Sequence, residues 1–317
     1  MRVNSAALRT MLSEYGIGIA FVLELILFSA LSPHFATIDN LLNVSLQTSI
    51  TAIIAVGMTF VILTAGIDLS VGSLVAFAGV VTTFVLRMDV PLPVAYILGI
   101  GTGLLFGACS GGLAGLLVTK FRITPFIVTL ALMTIWRGAA FVVTEGRPVW
   151  ELPEGFAEIA RGRIFFIPIP TLIMLIVFGA AHFTLTQTRF GRYVYAVGGN
   201  IEASRLAGIN TNRVLLKVYV ISGVLSALSG ILLASRVNSG QPNAGLMYEL
   251  DVIAAVVVGG TSLFGGKGTV LGTLIGSLLI GVLRNGLNLM NVESYVQQVV
   301  VGVVILLAVL LDRLRKS

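Results

Sequence analysis

Apolar residues run along this chain in stretches close to the twenty or so that a membrane-spanning helix needs, with polar positions gathered in the gaps between them. Hydropathy and the Gly, Pro, Asn and Asp breakers predict spans near 15–32, 46–64, 70–87, 93–118, 124–143, 168–186, 214–236, 249–262, 269–290 and 295–311. Two gaps are long. Residues 145–167 hold Pro148, Trp150 and Pro153 and then EGFAEIA, which is expected to form a short surface helix; residues 187–213 form the other. The N-terminal apolar stretch is read as a retained first helix, because no small-x-small cleavage site follows it.

About ten spans place both termini on one side. With the N-terminus inside, the inner segments hold Arg2, Arg9, Lys120, Arg122, Arg189, Arg192, Arg205, Arg213, Lys217, Lys267, Arg313, Arg315 and Lys316. The outer segments hold only Arg87, Arg147, Arg161, Arg163, Arg236 and Arg284. The positive-inside rule therefore predicts N-in and C-in. Composition agrees with lipid as the solvent: 56% of the 317 residues are hydrophobic and 11% charged, and the mean hydropathy is +1.01. The expectation is a single all-α integral membrane domain over residues 1–317. The net charge of +6 then reports loop placement, and no nucleic-acid partner is expected. The single cysteine, Cys109, excludes an intrachain disulfide.

Small residues organise the fourth span, where Gly99, Gly103, Gly107, Gly111 and Gly115 recur every four positions and so share one helix face. Such a face lets helix backbones approach closely; a smooth wall for a moving solute is the other reading. Gly268, Gly272 and Gly276 repeat the spacing in the ninth span. The stretch GGTSLFGGKGT imitates a phosphate-binding loop, but Gly268 follows Lys267 where Ser or Thr is required, and Thr261 stands in place of the first glycine. This chain is not expected to bind ATP.

Ionisable residues inside spans are expensive, by roughly 2.5–3.5 kcal/mol on insertion scales. Glu24 and Arg137 lie within apolar sequence, as elements of a translocation path or as a structural pair with each other or with backbone carbonyls. Arg284 lies near an outer end, where snorkelling accounts for it. His34 and His182 have no ligand-type neighbours, so neither a metal site nor a catalytic constellation is expected. In TAGIDLSVGS, Asp68 stands between Gly66 and Gly72 at the break between the second and third spans. Asp68 or Ser70 is expected to cap the third span, a contact with substrate or a coupling element being the alternative.

Within 187–213, GNIEASRLAGI predicts a short helix from Asn200 to Leu206, capped by Asn200, with Glu202 in its first turn and stopped by Gly208. EAS followed by three residues and then Gly208 resembles the coupling loop with which permeases of ATP-binding-cassette importers dock onto their ATPase. ILTAGIDLSVGSL, TRFGRYVYAVGGN, ASRLAGI, YELDVIAAVVVGGTSLFGGKGT and GTLIGSLLIGVLRNGLNL resemble, in the same order, the ribose-type sugar permeases of these importers. The resemblance implies the ten-helix fold of the vitamin B12 importer, location in a bacterial inner membrane, and inward transport of ribose or a related small sugar by alternating access. It also implies three kinds of protein partner: a second permease copy, a cytoplasmic ATPase that binds ATP and Mg, and a periplasmic sugar-binding protein. Asn200, Glu202, Ala203, Ser204, Arg205 and Gly208 would form the coupling element, with Ser204 where the family has a second Ala. The competing expectation is an ion-coupled secondary sugar transporter, in which Glu24 or Asp68 would carry the coupling ion.

Overall fold

The computed structural model describes residues 5–314. Arg2, Arg315 and Lys316, counted above for orientation, lie outside the described residues, as do the side chains of Arg9 and Arg313. The described chain is almost entirely helical: α1 (Ser5–Leu31), α2 (Ile38–Leu63), α3 (Val71–Leu86), α4 (Leu92–Lys120), α5 (Pro125–Thr144), α6 (Glu158–Arg161), α7 (Ile169–Gln187), α8 (Arg189–Gly199), α9 (Ile201–Leu206), α10 (Thr211–Val237), α11 (Tyr248–Val258), α12 (Val270–Leu289) and α13 (Ser294–Leu314). One two-stranded antiparallel ribbon, β1 (Arg163–Ile164) with β2 (Ile167–Pro168), interrupts them.

Six of these helices, α2, α4, α5, α7, α10 and α12, are long and apolar enough to cross a membrane; α3 and the segments Gly16–Leu31 and Ser294–Leu307 are shorter apolar helices. The fold is that of an all-α membrane protein. Helix α2 begins eight residues before the expected start, because Thr37 sets its N-terminus by accepting the Asn40 amide (3.4 Å). Helix α11 is only eleven residues long and ends at Gly259, with Gly260 in the left-handed region (φ +87°).

At the centre lie α2 and α10. Nearly every residue of α2 from Thr48 to Leu63 is buried, as expected for a helix that is apolar all round. The outer helices turn Ile97, Leu105, Ile127, Ile135, Val142, Ile176 and Phe183 outward, supplying the apolar surface that lipid requires.

The glycine stripe of α4 forms its contact face. A Cβ at Gly99 or Gly103 would collide with Leu86 or Thr82 of α3, and one at Gly107, Gly111 or Gly115 with the α10 backbone near Gly223, Tyr219 and Leu216. Helix α12 meets α11 in the same manner, Gly272 against the Gly259 carbonyl and Gly276 against that of Ala255. Backbone contact of this kind supplies the dispersion that holds helices together where lipid is as apolar as the side chains.

The connection 145–167 docks on the end of the bundle formed by the α10 C-terminus. Val149 pairs with Gly240, and the Ser235 hydroxyl donates to the Phe156 carbonyl (2.6 Å). Its helix is the single turn α6, shorter than the EGFAEIA stretch.

Candidate functional site

At the opposite end, the connection 187–213 folds as two helices, α8 and α9. Helix α8 was not expected, since Gly191, Gly198 and Gly199 give it a poor propensity. Burial of Val194 and Val197, on the face turned to the bundle, compensates. Its last turn wedges into the bundle: a Cβ at Gly198 would overlap the Leu63 carbonyl at the α2 C-terminus and lie 2.7 Å from the Gly266 amide. That amide donates to the same Leu63 carbonyl (2.9 Å), and the Tyr195 hydroxyl donates to the Gly268 carbonyl (2.8 Å). The sequence GGTSLFGGKGT is therefore a receiving loop for α8. Gly265 (φ +79°), Gly266 (φ +71°) and Gly268 (φ +149°) allow its tight path.

Helix α9 stands beyond this wedge. The Asn200 side chain accepts the Ala203 amide (2.9 Å). At the other end the Ile209 amide donates to the Ser204 carbonyl and the Gly208 amide to that of Arg205, with Gly208 at φ +84°, a Schellman stop. Ser204 is the buried anchor. Glu202 and Arg205 pair with each other at 2.7 Å, both exposed, and Leu206 is 87% exposed. A rigidly capped six-residue helix thus presents an apolar tip and an ion pair outward. Beside it an open groove of about 700 Å³ is lined by Lys120, Arg122, Glu202 and Arg205.

The TAGIDLSVGS turn folds back into the bundle. Asp68 is 2% exposed. Its Oδ1 accepts the Ser70 amide (3.0 Å) and hydroxyl (2.6 Å), and its Oδ2 accepts the hydroxyl of Ser222, near the middle of α10 (2.8 Å). Tyr219 and Thr129 both donate to the Ile67 carbonyl (3.4 Å each). Ser70 is the positional N-cap of α3 but makes no side-chain cap bond; its hydroxyl is spent on Asp68. The acid holds the turn against α10 and leaves the first-turn amides of α3 uncapped by a side chain.

Arg137 donates to the carbonyls of Pro242 (2.8 Å) and Ala244 (2.6 Å), in the connection between α10 and α11. It does not pair with Glu24, whose Oε2 is buried without a hydrogen-bond partner among the described residues. Arg284 does more than snorkel, for its guanidinium holds both oxygens of Asp251 at 2.5 and 2.7 Å, and Asp251 is 8% exposed at its side chain. Asp251, Ser222, Tyr195 and Gly198 escaped the sequence reading because each acquires its role from a partner distant in the chain. Among the described residues no group of three His, Cys, Asp or Glu is placed to hold a metal ion.

Comparison with known proteins adds a second line. Residues 40–309 match the family described as branched-chain amino acid transport system / permease component. The chain is similar to the ribose import permease of Haemophilus influenzae, with 49% identity over 93% of this chain and 91% of the relative. It is similar to the ribose import permease of Escherichia coli strain K12, with 50% identity over 93% and 92%. It is also 39% identical to the D-allose transport system permease of that strain, over 94% and 91%. No solved structure matches the chain.

Proposed function

The chain belongs to the family of branched-chain amino acid transport system permease components, and from that footing we propose that it is the membrane subunit of an ATP-binding-cassette importer for ribose or a related small sugar. The relatives named for sugars cover nine-tenths of the chain at 39–50% identity. As a transport subunit it performs no catalysis itself; ATP and Mg belong to a cytoplasmic ATPase, and selection of the sugar to a periplasmic binding protein. A second permease copy completes the path. The chain spans the inner membrane ten times, through α1, α2, α3, α4, α5, α7, α10, α11, α12 and α13, N-in and C-in, in the manner of the vitamin B12 importer. The distribution of Lys and Arg supports that orientation, which puts α8 and α9 in the cytoplasm.

The observation that carries the proposal is the form of α9. It is capped at both ends, anchored by Ser204 and exposed at Leu206, and it stands on a wedge that touches the C-terminal end of α2 and the 259–269 loop. Closure of a docked ATPase pair would push α9, and Gly198 would pass the movement to the Leu63 carbonyl. Glu202→Lys and Gly208→Val are expected to abolish ATP-driven uptake of labelled D-ribose while the permease still purifies as a folded species. Normal uptake in both variants would refute the coupling role. A reporter fused after Ser317 should score as cytoplasmic, and an external score would overturn the orientation.

A further inference from the structure

Four helices of the bundle enclose a second polar feature, separate from the coupling end. Between α2, α11, α12 and α13, and closed on one side by α10, lies a cavity of about 180 Å³. Its walls include Thr48, Asp251, Ser277, Arg284, Asn288 and Gln297. Three buried polar atoms of these walls, Thr48 Oγ1, Ser277 Oγ and Arg284 Nε, have no hydrogen-bond partner among the described residues. Thr48 is 2% exposed and Ser277 3%. Buried polar groups are almost always satisfied, and three orphans on one cavity mark a place where a polar molecule completes the structure.

The chemistry of the walls narrows what that molecule is. Arg284 and Asp251 hold each other at 2.5 and 2.7 Å, so an entering cation would meet the guanidinium and an entering anion the carboxylate. The Gln297 amide donates to Asn288 Oδ1 (2.7 Å), which fixes both amides in place. Hydroxyls that donate and accept, a guanidinium N–H that donates and a carboxylate that accepts complement a neutral solute carrying several adjacent hydroxyls, each of them both donor and acceptor. We propose that this cavity is a weak binding site for a neutral polyhydroxylated solute, through Thr48, Ser277 and the free edge of Arg284. The proposal rests on the importer reading above and deepens it by placing a station for the sugar inside each permease copy.

Full-length permease in lipid nanodiscs, probed by saturation-transfer NMR with D-ribose and with D-allose, tests it. Transfer to the sugar ring protons is expected in the wild type, and apparent affinity should fall at least about fivefold for each hydroxyl removed, in Ser277→Ala and in Thr48→Val/Ser277→Ala. Ser277→Ala, which removes one oxygen, keeps the test valid where the double variant does not fold. Absence of transfer to either sugar, or equal transfer in wild type and Ser277→Ala, overturns the site. Uptake of labelled D-ribose by the complete importer separates the two readings. Uptake with no NMR signal rejects the site and leaves the importer, whereas a Ser277-dependent signal without any uptake keeps the site and rejects the importer.

Discussion

Replacing Asp68 separates its geometry from its charge. The carboxylate accepts three hydrogen bonds at 2.6–3.0 Å, all from groups on the buried turn and α10. In Asp68→Ala the Ser70 amide loses its acceptor outright, while the Ser70 and Ser222 hydroxyls lose theirs but are free to rotate. An orphaned buried group costs about 1–3 kcal/mol, so one full loss and two partial ones come to about 3–5 kcal/mol. In Asp68→Asn, Oδ1 keeps both Ser70 bonds and the new amide donates to the Ser222 hydroxyl, which turns acceptor. Only the charge assistance is lost, about 1 kcal/mol. Thermal unfolding followed by size exclusion in detergent should rank wild type just above Asn and well above Ala, and Asn should retain most ATP-driven uptake. Asn unfolding as readily as Ala would refute the hydrogen-bond account. An Asn variant that is stable but transport-dead would show that the negative charge takes part in transport.

Two further outcomes follow from the packing. Gly111→Ala should destabilise the α4–α10 contact by about 1–3 kcal/mol, because its Cβ would overlap the Tyr219 carbonyl. Gly101→Ala, on the same helix with nothing within 4 Å, should be neutral or stabilising in the same unfolding assay; equal losses at both positions would refute the stripe as a contact face. Arg284→Met leaves Asp251 buried without its partner and should cost up to about 3 kcal/mol. That is below the range for fully buried pairs, because the Arg284 side chain is 37% exposed. Arg284→Met/Asp251→Leu should recover much of that loss, and a double variant less stable than the single would count against the pair.

Much of this protein was legible along the chain because lipid imposes one-dimensional rules. A helix must satisfy its own backbone in the membrane, so the apolar runs mark the helices, and a four-residue glycine spacing marks a contact face whatever the partner. Local capping was equally legible: Asn200 and Gly208 act on amides and carbonyls within a few residues of themselves.

Long-range partners were not. Asp68 looked like a cap because it stands just before the third span, yet one of its oxygens is held by Ser70 and the other by Ser222, 154 positions away. Arg284 looked like a snorkelling residue because Asp251 lies on a different helix. The glycines of GGTSLFGGKGT gave no sign of what they admit until α8 was seen against Leu63. Hydropathy and local spacing by themselves determined the solvent, the helical class and the ends of α9. Only tertiary packing decided which buried charge meets which partner, because burial in lipid obliges every polar group to find one but leaves its position in the chain unconstrained.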